Sequence, residues 1–134
     1  MIMIQINIAC GTDDGVTFTE EHFGSAKFYL LYTINLETGE LNYVDKIYNT
    51  SPQEQTHGDP KKAKSVSELM QNVHVLVGSA MGPNIVRMRK KFIPVISRER
   101  DIESAMEKLK DKLDVIKRNL EMPPEEDREI IYIG

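Results

Sequence analysis

Cysteine is nearly absent from this sequence, since Cys10 stands alone among 134 residues. A single cysteine cannot form a disulfide within the chain, so nothing requires an oxidising compartment, although one thiolate could still bind a metal. Long apolar runs are missing too: no stretch of 18 or more apolar residues occurs, and residues 1–8 lack a basic start. The sequence therefore predicts neither a membrane span nor a secretory signal, and we expect a cytoplasmic protein.

Excess positive charge is also lacking. The 17 lysines and arginines are outnumbered by 21 aspartates and glutamates, which gives a formal net charge of −4. A general nucleic-acid binder needs many phosphate contacts from Lys and Arg, so this class of partner is disfavoured. The composition fits one compact domain, which we place at residues 1–120. Residues 121–134 form a C-terminal extension that either adds an edge strand or mediates self-association, and we expect a monomer or a weak homodimer.

The apolar pattern predicts an α/β fold. The predicted strands are residues 3–9, 28–34, 41–48, 73–77 and 92–96, and the predicted helices begin at Pro60, at Pro83 and at Ile102. The last strand is expected to be short or peripheral because Pro94 cannot donate a ladder hydrogen bond. The third helix shows unbroken helical periodicity from Ile102 to Leu120. Together the elements predict a mixed five-stranded sheet with one antiparallel strand and helices on both faces.

Topology gathers several polar loops at one edge of this sheet. The second strand, being antiparallel to the first, must begin where the first ends, which places the loop of His22 beside Cys10. The third strand returns to the same edge, which places His57 there, and a right-handed crossover brings residues 78–82 to it as well. Ligands of open α/β sheets bind outside the carboxyl ends of parallel strands, so this edge is the predicted site.

The donors expected at this edge suit a soft or borderline metal. They are the Cys10 thiol, the imidazoles of His22 and His57, and the Met81 thioether, beside the starts of two helices that favour an anion. An anionic metal–sulfur cluster with an open coordination position would use both features, whereas a small phosphate-containing ligand would need only the amides. The alternative function is therefore a phosphate-ligand or protein-interaction module on the same fold, in which residues 78–82 matter and His22 does not.

Three structural alternatives stay open for these residues. Cys10 at a strand end could be a small buried hydrophobe, and His57 could hydrogen-bond within its own turn. Gly78 and Gly82 could serve only the strand-to-helix turn. His74, at the opposite end of its strand, is expected to be structural.

Three segments together resemble the dinitrogenase iron-molybdenum cofactor biosynthesis family, which includes the NifX and NafY carriers and a domain of some NifB proteins. These segments are His22-Phe23-Gly24-Ser25-Ala26, the His57-Gly58 turn, and the loop Gly78-Ser79-Ala80-Met81-Gly82-Pro83-Asn84. The resemblance spans roughly residues 2–116 in matching order.

The resemblance implies a ribonuclease H-like fold and non-enzymatic binding of an iron-sulfur-based cofactor, the iron-molybdenum cofactor or a precursor, during nitrogenase cofactor assembly for nitrogen fixation. It implies His22 as the principal ligand and cofactor-assembly proteins as partners. The other residues predicted to line the cofactor are Phe23, Gly24, His57, Gly78, Gly82 and Asn84, with Cys10 and His57 as possible second metal ligands.

The enzymatic alternative is a ribonuclease H-like nuclease. Such nucleases bind divalent metals through clustered carboxylates, of which the decisive acid lies within the first strand. Residues 3–9 contain no Asp or Glu, and Asp13 and Asp14 follow them in a segment typical of a turn. We therefore expect no catalytic residues.

Overall fold

The computed structural model describes residues 4–50, 60–123 and 126–134, with the backbone alone at residues 60–63. The strands are β1 (Gln5–Thr12), β2 (Phe28–Asn35), β3 (Leu41–Tyr48), β4 (Val75–Gly78), β5 (Ile93–Ser97) and β6 (Ile131–Ile133). The helices are α1 (Pro60–Leu69), α2 (Ile85–Met88), α3 (Ile102–Leu109) and α4 (Leu113–Leu120). No helix within the described ranges is long and apolar enough to cross a bilayer.

One mixed sheet organises the molecule, in the order β3-β2-β1-β4-β5-β6. The strand β2 runs antiparallel to both of its neighbours, whereas β1, β4, β5 and β6 are mutually parallel. A sheet with one antiparallel strand was predicted and is confirmed. The carboxyl ends of β1 and β4 lie side by side, with Cys10 opposite Val77, so the loops that follow both strands leave from the same edge.

Helices cover both faces of the sheet, as the sequence predicts. Side chains alternate across a strand, and in β1 this sends Ile6, Ile8 and Cys10 to one face and Ala9 to the other. The first face packs against α3 and α4 through a core that includes Met106. The second core, on the opposite face, lies beneath α1 and α2; its buried members are Ala9, Phe23, Ala26, Tyr29, Val66, Met70, Leu76, Met81, Met88 and Phe92.

The sheet has six strands, so the predicted count of five is wrong. The sixth is β6, in which Ile131 and Ile133 are buried while Tyr132 is exposed, so its alternation matches a strand with one face on the core. It pairs in parallel with β5 and lies at the sheet edge. The C-terminal extension therefore contributes to the core that α3 and α4 cover.

The strand β5 lies inside the sheet, so the expected peripheral position is also wrong. The Ile93 N–H points toward β4, where it donates to the His74 carbonyl. Because backbone N–H groups alternate between the two sides of a strand, the nitrogen of Pro94 points toward β6. The pairing with β6 begins only at Val95, opposite Ile131. Pro94 is tolerated because no strand residue lies opposite it on the side where its missing N–H would point.

The third predicted helix is interrupted. A 3₁₀ turn at Lys110–Lys112 separates α3 from α4, although Leu109, Leu113 and Ile116 keep helical spacing across it. The segment contains no Gly or Pro, so no local sequence signal marks the interruption. α3 begins at an Asp101 cap, whose carboxylate accepts from the Ser104 N–H at 2.9 Å.

Candidate functional site

The ring of Phe23, which anchors the His22 loop, packs against glycines of two neighbouring strands, most tightly against Gly11. A Cβ on Gly11 of β1 would lie 3.3 Å from Phe23 Cδ1, and one on Gly78 of β4 would lie 3.6 Å from the same atom. Phe23 is fully buried, and its carbonyl accepts from the Tyr29 hydroxyl at 3.0 Å. The short 3₁₀ turn at Phe23–Ser25 is thus fixed over the carboxyl ends of β1 and β4.

Hydrogen bonds join the His22 loop to the loop that follows β4. The Phe23 N–H donates to the Ala80 carbonyl at 2.8 Å, and the Ser79 hydroxyl donates to the Thr19 carbonyl at 2.5 Å. These bonds connect residues about 60 positions apart in the chain. The convergence of the two loops, predicted from topology, is therefore present.

The imidazole of His22 packs directly on Gly82. Gly82 has φ +73°, in the left-handed region that favours glycine. A Cβ built there would lie 2.7 Å from His22 Cγ and 2.9 Å from Cε1, closer than real side-chain contacts allow. Gly82 therefore supplies both the turn and the space that the His22 ring occupies, and His22 is left half-buried at the edge of the sheet.

Asn84 and Arg87 lie just beyond this contact. Asn84 is 6% exposed, and its Oδ1 accepts from Arg87 Nη1 at 3.0 Å. The helix α2 that follows has only four residues, so the helix-dipole contribution expected at its start is small. The segment before α1, which supplies the other predicted helix start and contains His57, lies outside the described residues.

Cys10 and Met81 are placed away from the surface of this site. The Cys10 thiol is fully buried on the α3 and α4 side of the sheet, 3.8 Å from the Met106 sulfur, and burial raises its pKa strongly. Met81 is 3% exposed within the core on the other side. This geometry favours the alternative in which Cys10 is a small buried hydrophobe, and a ligand role for it stays a prediction.

Asn49 is a site-building residue that the sequence reasoning missed. Its Nδ2 donates to the carbonyls of Gly24 and Ala26, each at 2.8 Å, and so ties the end of β3 to the turn beside His22. Ser79 has the equivalent role for the second loop. Such bonds join residues far apart in sequence, so no local pattern indicates them.

His74 lies at the opposite end of β4, as expected. Its Nδ1 accepts from the Asn7 backbone N–H at 3.0 Å, an arrangement that requires an unprotonated Nδ1. Partial burial lowers the pKa of His74. Its geometry is that of a residue that fixes the pairing of β1 and β4.

Asp13 and Asp14 organise the turn after β1. Asp14 Oδ1 accepts from the N–H groups of Val16 and Thr17, each at 2.8 Å, and these hydrogen bonds lower its pKa. Asp13 accepts from the Thr19 hydroxyl at 2.7 Å and from the Lys27 N–H at 2.9 Å. Asp14 is thus the turn former that the sequence indicates, whereas Asp13 joins this turn to Thr19 and to the start of β2.

Comparison with known proteins adds to this geometry. The sequence matches the profile described as dinitrogenase iron-molybdenum cofactor over residues 5–112, which include β1 to α3 and both loops of the site. The chain belongs to the dinitrogenase iron-molybdenum cofactor family. The match stops before α4 and β6, so these two elements lie outside the part of the chain that the family shares.

A solved structure shares the fold of this family member. The nuclear magnetic resonance structure of a Thermotoga protein, provisionally described as NifB, is 16% identical and has a TM-score of 0.51. The similarity covers 80% of this chain and 88% of that one, and at this identity it bears on the fold alone. No curated protein matches the sequence.

The donor set limits what a protein of this family could hold here. Within residues 4–50, 60–123 and 126–134, no three His, Cys, Asp or Glu side chains are close enough together to hold a metal ion. A bare ion such as zinc takes three or four protein ligands. The described residues do not by themselves complete such a ligand set.

Proposed function

We propose that this protein is a non-enzymatic carrier that binds an iron-sulfur-based cofactor or its precursor as cargo, with His22 as the principal protein ligand. Membership of the dinitrogenase iron-molybdenum cofactor family supports a role in cofactor assembly. The cargo would be the iron-molybdenum cofactor or a precursor of it, and cofactor-assembly proteins would deliver or receive it. The mixed sheet with one antiparallel strand is compatible with the ribonuclease H-like fold that the family resemblance implies.

The contact between His22 and Gly82 carries this proposal. It joins two of the three segments that support the resemblance, although His22 and Gly82 lie 60 positions apart, and it holds an imidazole at the carboxyl edge of β1 and β4. Imidazole binds iron well and is a common metal ligand. An imidazole fixed by packing loses less conformational entropy on binding than a mobile side chain.

A single ligand suits a protein that must give up its cargo. Several protein ligands would hold a cluster tightly, whereas one imidazole leaves the remaining cluster surface open to the next protein. Arg87, which donates to Asn84 two residues beyond Gly82, would add positive charge on this side of the loop if an anionic cluster extends to it. Phe23, Gly24 and Gly78 build the platform rather than offer donor side chains.

The nuclease alternative gains no support from the site. The strand β1 carries no carboxylate, and both acids that follow it accept structural hydrogen bonds, Asp14 within its own turn and Asp13 from Thr19 and Lys27. The alternative of a phosphate ligand depends on loop amides near residues 78–82. Because α2 is a single turn, its dipole adds little to such a site.

The test is an anaerobic titration of the purified protein with an iron-sulfur cofactor or its iron-sulfur precursor, followed by absorption and electron paramagnetic resonance. We expect stoichiometric binding to the wild type and weakened binding to His22→Ala. Mutation of a residue that only hydrogen-bonds to a metal ligand lowers the affinity for the metal by at least about tenfold. Removal of the ligand itself, in His22→Ala, should lower the affinity by more than that.

His74→Gln is the matched control. It removes an imidazole from the amino end of β4, whereas His22 lies at the carboxyl end of that strand, so it should leave binding unchanged. Both variants are checked for folding by circular dichroism. Binding that is indifferent to His22, or equally weakened in both variants, would contradict the proposal.

A further inference from the structure

An open groove lies on the face of the sheet that α3 and α4 cover. The strongest contacts of these helices with the sheet are to β5 and β6, and a groove remains between α3 and the β2 and β3 side of this face. The groove has a volume of about 770 Å³, and its floor includes Leu30 and Leu41. Its size falls in the range of about 300–1,000 Å³ that is typical of sites for small molecules or a few residues of peptide.

Two tyrosines form the aromatic part of the groove. Tyr32 and Tyr43 lie opposite each other on β2 and β3, and their rings make an edge-to-face pair with centroids 5.6 Å apart. Tyr32 is 9% exposed, whereas Tyr43 is 56% exposed, so one ring supports the other at the surface. The face of such a ring attracts a cation.

The wall opposite the tyrosines is acidic. Asp101, Glu103 and Glu107 line the groove from the start and first turns of α3, and none of its lining residues in the described part of the chain is a lysine or an arginine. Asp101 already caps α3, and Glu107 accepts from Lys110 at 3.1 Å. Glu103 makes no ion pair within the described part of the chain.

A neighbouring contact on the same strand shows how this surface receives a cation. The Lys46 ammonium lies 5.1 Å from the ring centroids of both Phe28 and Tyr48, on the same side of the sheet as Tyr43. Burial first, and then the negative charge of neighbours that include Glu103, raise the pKa of the Tyr32 hydroxyl to about 12. The groove is therefore a place of negative potential beside aromatic rings.

We propose that this groove binds an arginine side chain carried on a short apolar segment of a partner protein. The planar guanidinium stacks on Tyr43 while its N–H groups donate to Glu103, and the flanking apolar residues pack on Leu30 and Leu41. Arginine fits better than lysine because it combines stacking with a bidentate pair to a carboxylate. The groove is separate from His22, so the inference holds whatever cargo that residue binds.

The probe is a capped leucine-arginine-leucine tripeptide, titrated into the full ¹⁵N-labelled chain while amide chemical shifts are recorded. Its matched control contains citrulline, which has nearly the same shape as arginine without the charge. We expect saturable shifts at Tyr32, Tyr43 and Glu103, with affinity at least about fivefold weaker for the citrulline peptide. Higher salt should narrow this difference because it screens exposed charges.

Two variants assign the effect to named side chains. Glu103→Gln should weaken binding of the arginine peptide by about two- to fivefold, and Tyr43→Leu should do so by a similar factor while keeping an apolar side chain. Glu121→Gln, at the exposed end of α4, is the control and should change nothing.

Absence of saturable shifts in the groove, or equal affinity for the citrulline peptide, would overturn the inference. Spermidine is titrated as a further probe. If it binds the groove as tightly as the arginine peptide, the site is one for a free polyamine and the assignment to a protein segment is wrong.

Discussion

Replacement of Gly82 by alanine should disturb the protein twice, through its own backbone and through His22. An L-residue in the left-handed region costs about 1–2 kcal/mol, and Gly82 has φ +73°. The new Cβ would also lie 2.7 Å from His22 Cγ, so the imidazole must leave its position. A displaced rotamer adds about 0.5–1.5 kcal/mol. We expect Gly82→Ala to lower the free energy of unfolding by about 1.5–3.5 kcal/mol.

Gly39 provides a matched control for the backbone part of this cost. Its φ is +76°, close to that of Gly82, but the nearest atom to a Cβ built there is Lys110 Cδ at 3.8 Å. Gly39→Ala should therefore cost about 1–2 kcal/mol, from the backbone alone. Urea unfolding followed by circular dichroism measures both values.

A double-mutant cycle isolates the contact between Gly82 and His22. In a His22→Ala background the imidazole is gone, so Gly82→Ala should cost about 1 kcal/mol less than in the wild type. Equal costs for Gly82→Ala and Gly39→Ala, with no change in the His22→Ala background, would refute the packing of the imidazole on Gly82.

Three further outcomes follow from the structure. Ile131→Ala should lower the free energy of unfolding, measured in urea, by about 2–4 kcal/mol because Ile131 is 4% exposed. Tyr132→Ala should lower it by less than about 1 kcal/mol because Tyr132 is 56% exposed. Equal costs would contradict the packing of β6. The lowered pKa of His74 means that the unfolded chain binds its proton more readily, so stability should fall as pH drops from about 6.5 through the folded pKa. Urea midpoints at several pH values should show this fall in the wild type and less of it in His74→Gln, and an equal fall in both would contradict it. The Cys10 thiol should react with Ellman's reagent only on unfolding, because burial both blocks it and raises its pKa, and fast reaction of the native protein would contradict its burial.

The Gly82 contact also changes how the loop can be tested by mutation. A bulky substitution at Gly82 cannot separate a ligand of the glycine loop from a ligand of His22. Because the two residues touch, any side chain at position 82 displaces the imidazole as well. A substitution of His22, such as His22→Ala, removes the imidazole and leaves Gly82 unchanged, so it tests the role of His22 separately.

Much of the sheet could be predicted because its signals are local. Two-residue alternation identified β1 and β3, and aromatic and β-branched residues identified β2. The alternation in β1 also places Cys10 on the face of Ile6 and Ile8, which is where the structure buries it. That signal was in the sequence, and it points away from a ligand role for Cys10 at the surface. Topology alone brought the two loops of the site together.

Other features depend on contacts that no local pattern encodes. The position of β5 inside the sheet depends on β6, which lies more than 30 residues later and is only three residues long. The 3₁₀ turn at Lys110–Lys112 interrupts an unbroken helical periodicity. The packing of His22 on Gly82 requires a turn conformation and a ring position that are set by distant backbone hydrogen bonds.

The most direct test of cargo binding by His22 is electron spin-echo envelope modulation of the cluster-loaded protein with ¹⁵N-labelled histidine. If His22 binds the cluster, the wild type and His74→Gln will show a coupling from a histidine nitrogen, and the coupling will be lost in His22→Gln. A coupling that persists in His22→Gln, or that is missing from the loaded wild type, would show that His22 is not the ligand.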